Sequence, residues 1–305
     1  MPLNQTNKLV WIANTIHSAR KITFEELNSR WIEDDDISQG KPMLKRTFIK
    51  WKWAILDTFG LNIECEKTAP YRYYIDNDED LRQGNIENWL LDTYSVSNSL
   101  SGSKSIKDRI ILEEVPSGRE YLDPIINAMK KNRFIHIVYY NYWREDEKEH
   151  YLMPLCVKLF RQRWYMVGRK WPANEDRVFC LDRIRDLRLS SHSFEYPEDF
   201  KPKEFFDGCF GIIAEKSCKI EDVVLKVSAG QANYLRDLPM MPGEAQQETE
   251  RNEEYSIFKL RVRPTFDFQQ ELLWNRDEME VLEPLWLRKE MAGIIKRMWN
   301  KYKEE

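Results

Sequence analysis

Between Phe134 and His192 the chain is written as short β-prone runs joined by charged or Gly/Pro turns, and no other feature narrows its possible folds so far. The runs are Phe134–Tyr142, Lys148–Leu155, Val157–Phe160, Trp164–Gly168 and Val178–Leu189. Strands this short and this closely spaced predict a small, strongly bent five-stranded sheet or barrel.

One of these runs raises a question of chemistry. Arg161 to Lys170, RQRWYMVGRK, sets Trp164, Tyr165 and Met166 side by side within a fringe of Arg161, Arg163, Arg169 and Lys170. In a strand, the two-residue period sends Arg163, Tyr165, Val167 and Arg169 to one side and Trp164, Met166 and Gly168 to the other. The second set suits a barrel interior, and the first would be a basic face bearing an aromatic. In FCLDRIRDLRL the same alternation groups Phe179, Leu181, Arg183 and Arg185. Two basic strands near each other would focus positive potential on an anionic ligand such as a nucleotide or oligonucleotide. A solvated strand face, its charges met by Asp182, Asp186 and Glu147, is the competing reading. The residues alone leave both standing.

The first 80 residues read as helix, helix, long helix and hairpin, the order of a winged helix-turn-helix. Leu9, Ala13 and Ile16 mark a first helix over about Gln5 to Arg20. Thr23 with Glu26 three residues on is a capping box opening a second helix, FEELNSRW. The polar stretch EDDDISQGKP reads as a solvated loop. The third helix, MLKRTFIKWKWAILDTFG, ends at Gly60. It gathers Leu44, Phe48, Trp51, Ile55 and Phe59 in one stripe, with Arg46, Lys50 and Trp53 opposite. From Lys41 to Lys52 there are five cations and no acid. Such residues neutralise phosphates and release counterions. The candidate DNA contacts are Lys45, Arg46, Thr47, Lys50 and Lys52, with Arg72 on the hairpin, and Arg46 and Lys50 are placed to reach base edges. Against this, the loop before the helix is long and acidic, and a plain helical domain with a solvated lysine face remains open.

Residues 81–133 read as a helical linker built from NIENWLLDTYSVSNSL, a connector IKDRIILEE and the helix GREYLDPIINAMKKN. The aromatic stretch SFEYPEDFKPKEFFDGCFGI follows the β-rich part. From about 220 the order becomes βαββαβ plus a final helix, a split-βαβ or ferredoxin-like arrangement. The last helix carries Leu287, Met291, Ile294, Ile295, Met298 and Tyr302 at helical spacing.

Composition bounds the function. Of 305 residues, 42% are hydrophobic and 32% charged, as in a multidomain globular chain, and the net charge of −4 confines any nucleic-acid site to local patches. No apolar run reaches the length of a membrane helix, and the N-terminus lacks the pattern of a secretory signal, so a cytoplasmic location without membrane contact is expected. Cys65, Cys156, Cys180, Cys209 and Cys218, and His17, His136, His150 and His192, show no metal-ligand spacing. Phosphate-cradling glycine loops, nucleophile elbows and zinc-protease motifs are absent from the sequence, so it is read as a non-enzyme without cofactor or metal.

The segments VYYNY, YLMPLCV, RQRWYMVGRK, VFCLDRIRDLRL and FEYPEDF resemble the WYL-domain family of bacterial transcriptional regulators. The namesake triad is here Trp164-Tyr165-Met166, with methionine in place of leucine. The resemblance covers roughly residues 120–210, and the flanking units resemble that family's usual neighbours. It implies an Sm-like five-stranded β-barrel that senses a nucleotide or single-stranded nucleic acid, a homodimer, and binding of operator duplex DNA through the N-terminal domain. By position it implies ligand-facing roles for Tyr139 or Tyr140, Arg163, Tyr165, Arg169 and Arg183, with Trp164 structural. The expected chain is therefore an α+β multidomain regulator, most simply a repressor. Its expected parts are a winged helix-turn-helix at 1–80, a helical linker at 81–133, a WYL barrel at 134–210 and a ferredoxin-like extension at 220–305. A nucleic-acid-associated accessory protein that modulates a partner enzyme is the alternative, and a nucleotide hydrolase the third possibility.

Overall fold

The computed structural model describes residues 3–76, 89–90, 92–94, 96–97, 108–111, 113–116, 118–215 and 217–303. The chain divides into two compact units, Met1–Glu113 and Glu114–Glu305. Of the expected helix NIENWLLDTYSVSNSL, 89–90, 92–94 and 96–97 are described and are helical, and of the connector IKDRIILEE, 108–111 and 113–114 are described and form no strand.

The first unit contains α1 (Leu3–Ala19), α2 (Phe24–Glu33), α3 (Asp35–Ser38), α4 (Lys45–Phe59), β1 (Ile63–Cys65) and β2 (Tyr73–Ile75). The capping box of α2 forms as expected: Thr23 Oγ1 accepts from the Glu26 backbone N–H, and the Thr23 N–H donates to Glu26 Oε2 at 2.9 Å. Leu9, Ile12, Ala13 and Ile16 from α1 meet Leu27 and Trp31 from α2 and Phe48, Ile55 and Phe59 from α4 in one core. Phe48 sits edge-on to Tyr73 at 4.8 Å, which fastens α4 to the hairpin. Strands β1 and β2 pair antiparallel, and Ile22 adds a further bridge to Tyr73.

The acidic stretch differs from the expected solvated loop. Asp34 accepts from the Ile37 backbone N–H and from Trp11 Nε1, so it caps the short α3, where Ser38 is buried. An aspartate that satisfies orphan helix N–H groups is a structural part and not free charge.

The second unit begins with α5 (Arg119–Lys130), which is followed by β3 (Arg133–Asn141), β4 (Asp146–Phe160), β5 (Arg163–Lys170), β6 (Glu175–Cys180) and β7 (Ile184–Ser193). The sheet order is β6-β5-β4-β3-β7, every neighbour antiparallel. Edge strands β6 and β7 share no ladder, so the sheet is open and the expected closed barrel does not form. The expected runs 148–155 and 157–160 are one strand, β4, whose register against β5 shifts between Pro154 and Cys156. The expected run 178–189 is broken by a 3-10 turn over Leu181–Arg183.

Both faces of this sheet are covered. On one, Ile125 and Ala128 of α5 pack with Ile135, Ile137, Leu152, Met166, Phe179 and Ile184. On the other, the aromatic segment after β7, which includes α6 (Pro202–Phe205), lays Phe194, Phe200, Phe205 and Phe206 over Phe134, Met153, Leu155 and Val167. Burying each such side chain contributes about 1.5–3 kcal/mol. Helix α5 thus packs with the sheet and is not a free linker.

The rest comprises β8 (Glu221–Ser228), α7 (Ala229–Asp237), β9 (Gln246–Arg251), β10 (Tyr255–Val262), α8 (Phe266–Trp274), β11 (Met279–Glu283) and α9 (Leu285–Tyr302). Its sheet order, β11-β8-β10-β9, is the antiparallel split-βαβ arrangement expected from the element order. Alternate residues Val223, Leu225 and Val227 of β8 and Phe258, Leu260 and Val262 of β10 face the helices. On α9 only Leu287 and Met291 are buried; Ile295, Met298 and Tyr302, expected in the same stripe, are exposed.

Asp267 joins the parts, accepting from the backbone N–H groups of Ile212, Ile213 and Phe268 and from Thr265 Oγ1. The β4–β5 turn is held as well. Arg161 pairs with Glu271, and Lys158 Nζ donates to the Gly211 carbonyl at 2.5 Å. Among the described residues, no helix is long and apolar enough to cross a membrane.

Gly118 shows how tightly α5 is seated. It has φ +60°, and a Cβ there would lie 2.3 Å from the Asp182 nitrogen and the Leu181 carbonyl carbon. Gly118→Ala is expected to lower unfolding stability by about 2 kcal/mol, combining left-handed strain with overpacking against backbone. Urea denaturation of the full chain measures it.

Candidate nucleic-acid interface and effector site

Helix α4 is amphipathic because Phe48, Ile55 and Phe59 recur at helical spacing, which leaves the opposite face to solvent. That face carries exposed Lys45, Arg46, Ile49, Lys50 and Trp53, with Trp53 at 63% and Ile49 at 46% exposure. Thr47 and Lys52 are half-buried at its margins. Among the described residues no carboxylate pairs with Lys45, Arg46, Lys50 or Lys52. The start of α4 is unusual in its chemistry. Its N-cap is Leu44, which makes no side-chain cap bond and is 58% exposed instead of joining the apolar stripe. Lys45 and Arg46 then occupy the first turn, where the helix dipole disfavours positive charge.

Arg72 is placed differently. Its Nε lies 2.9 Å from Glu66 Oε2, and Lys21 Nζ lies 2.8 Å from Glu66 Oε1. Hydrogen bonds from Lys21 and then Arg72 bring the Glu66 carboxyl from its ordinary 4.5 down to about 2. Arg72 is thus part of a hairpin ion triad and stands apart from the unpaired α4 cations. Lys21 is a member that the sequence did not single out.

In the five-stranded sheet, three of the expected ligand residues come together. Arg183 donates from Nε and Nη2 to the Tyr140 carbonyl at 3.1 and 3.0 Å, and its guanidinium lies over the rings of Tyr139 at 4.8 Å and Tyr142 at 4.5 Å. Arg185 covers the Tyr140 ring at 5.0 Å. Tyr142 and Arg185 extend the cluster, and the tyrosine run YYNY is the signal in the sequence that could have included Tyr142. The Tyr139 hydroxyl accepts from the Cys180 backbone N–H, and burial pushes its pKa up to about 12.

Arg163 is adjacent but already engaged. Its Nη2 binds Asp182, which also accepts from the Cys180 thiol, while its buried Nε has no hydrogen-bond partner among the described residues. Burial raises the Cys180 thiol to about 11, which removes it as a nucleophile at neutral pH. Tyr165 is buried beside Cys180, its cross-strand partner, and burial likewise raises it to about 12.

Arg169 departs most from expectation. It is 6% exposed and makes four hydrogen bonds, two to Asp176 and two to Asp199. The face of β5 expected to be basic and wet is roofed by the aromatic segment, so Arg169 and Tyr165 face the interior. Trp164 packs with the cluster around Met166 and Ile125, a structural position. Among the described residues, no group of histidine, cysteine and carboxylate side chains could hold a metal ion.

Comparison with known proteins bears on both sheets. Residues 120–189, from α5 into β7, match the WYL domain family. Residues 219–299 match the WCX domain family. The chain carries a WYL domain followed by a WCX domain. Trp164, Tyr165 and Met166 lie on β5, inside the WYL match, and so does the Arg183 cluster. Two solved structures are similar. One is proteasome accessory factor B/C (PafBC) of Arthrobacter aurescens, 18% identical, covering 94% of this chain and 46% of that one, with a TM-score of 0.35. This chain therefore spans about half the length of that protein. The other is a CRISPR Cas-related protein, 11% identical, covering 98% of this chain and 84% of that one, with a TM-score of 0.40. No curated protein matches the sequence.

The arginines of the WYL domain should separate in a stability test. Arg169→Leu strands the largely buried Asp176 carboxylate and is expected to cost about 3 kcal/mol. Arg183→Ala, at a half-exposed site, should cost less than about 1 kcal/mol. Comparing the two urea midpoints checks the assignment. In the hairpin triad, the depressed Glu66 pKa means its stabilisation is complete above the ordinary 4.5 and disappears as pH falls toward about 2. Carboxyl NMR titration of Glu66 reads this window.

Proposed function

We propose that the chain is a ligand-responsive, DNA-binding transcriptional regulator, a homodimeric repressor whose WYL domain senses a nucleotide or single-stranded nucleic acid. The observation that carries this reading is the unpaired cationic face of α4, which begins at a helix N-terminus without a side-chain cap. A helix N-terminus with free N–H groups favours an anion. Lys45 and Arg46 there oppose the dipole, and a bound phosphate would relieve both. Arg46 and Lys50 can then read base edges, while Ile49 and Trp53 offer apolar surface to a thymine methyl group.

The effector part rests on the Arg183–Tyr139–Tyr140–Tyr142–Arg185 cluster. Guanidinium groups and ring faces in alternation suit phosphates and stacked bases. The dimer and the repressor sense of the response rest on resemblance to the WYL-domain family.

Replacing Arg46 and Lys50 together by alanine should weaken binding to mixed-sequence duplex DNA and reduce the slope of log K against log salt by about 2. An unchanged slope removes α4 from the interface. Leu44→Asp supplies the missing cap: it should stabilise the free protein by about 1 kcal/mol yet weaken duplex binding, because the carboxylate takes the phosphate's place. Fluorescence anisotropy alongside thermal unfolding measures both.

A further inference from the structure

A second concave site lies in the WYL domain, away from the arginine cluster. Phe134, Tyr151, Met153, Trp171, His192, Ser193, Phe194 and Glu195 line a pocket of about 710 Å³. This falls within the ordinary range for small-molecule sites. Phe134 opens β3, whereas Tyr140 lies six residues on, so the two sites are about 20 Å apart along the strand.

The pocket is built from ring faces. Phe134 stacks on Tyr151 at 4.8 Å with planes 6° apart, and Trp171 and Phe194 stand at 67° and 69° to Phe134. Trp171 is 54% exposed, with ring surface available to a ligand. One rim is polar: the Tyr151 hydroxyl meets Ser190 Oγ at 2.9 Å and His192 Nδ1 at 3.4 Å. Glu195 stands exposed at the lining and pairs with no cation among the described residues. No lysine or arginine lines the pocket. Arg169, cross-strand from Met153, is bound to both Asp176 and Asp199, so its guanidinium is already engaged.

We propose that this pocket binds an organic ammonium cation, held by the π faces of Trp171, Phe194 and Tyr151 and by the Glu195 carboxylate. Aromatic rings attract a cation through their quadrupoles, and a quaternary or alkylated ammonium loses little on leaving water. A nucleotide phosphate would meet Glu195 with no counter-charge, so the ligand class differs from the one favoured by the arginine cluster. The site stands independently of the regulator reading.

Choline and its uncharged isostere 3,3-dimethylbutan-1-ol separate charge from shape. Titrated calorimetrically into the full chain at pH 8, choline should bind saturably at one site, at least about tenfold tighter than the alcohol. Trp171→Ala and Glu195→Gln should each weaken choline by about fivefold or more, and Glu195→Gln should do so without moving the unfolding midpoint, since its side chain is exposed. Equal affinity for the alcohol would make the pocket merely apolar and overturn the proposal. So would the absence of saturable choline binding, or binding unchanged in both variants.

Discussion

The second unit is organised by a strand that must serve two partners. β4 pairs with β3 through Asp146–Leu152 and with β5 through Leu152–Phe160, and changes register near Leu155. A bulge of this kind bends a strand and increases its twist. The sheet is thereby folded enough that each face needs its own cover, α5 on one and the aromatic segment on the other. The hairpin turn at Arg161–Gln162, the Arg163–Asp182 pair and the Phe134 pocket all take their positions from that bend.

Charge in this protein is settled residue by residue. Arg169 is consumed by two carboxylates and Arg163 engages one, Arg183 meets a carbonyl and two rings but no carboxylate, and the α4 cations meet no carboxylate among the described residues. A negative total is compatible with anion-binding surfaces because the excess acid is spent elsewhere, as caps such as Asp34 and Asp267 or as partners such as Glu66 and Glu271. Counting basic residues along the sequence could not have told these fates apart.

Much of the fold was nevertheless legible. The capping box at Thr23, the stripe of α4 and the βαββαβ order are local patterns, and local patterns survive folding. What failed was non-local. The alternation in FCLDRIRDLRL runs unbroken through Leu181–Arg183, where the chain makes a 3-10 turn that no spacing announces. The split expected after Leu155 is a bulge, which consumes a residue without ending the strand. The strand period set Arg169 on a basic, open face because Asp199, thirty positions on, and the roof of phenylalanines are invisible to it. Tyr139, Tyr140 and Arg183, named together from the sequence, do lie together, whereas Arg185's ring partner emerged only from the pairing of β3 with β7.

The grip of the C-terminal part on the β4–β5 turn has a practical consequence. Arg161, held by Glu271, is two residues from Arg163, and Lys158 donates to the Gly211 carbonyl inside a site where burial lowers its pKa. A fragment cut after β7 would lose both anchors and uncover Phe160, which packs edge-on to Phe210. An excised WYL domain would therefore differ at the β4–β5 turn from the same domain in the intact chain.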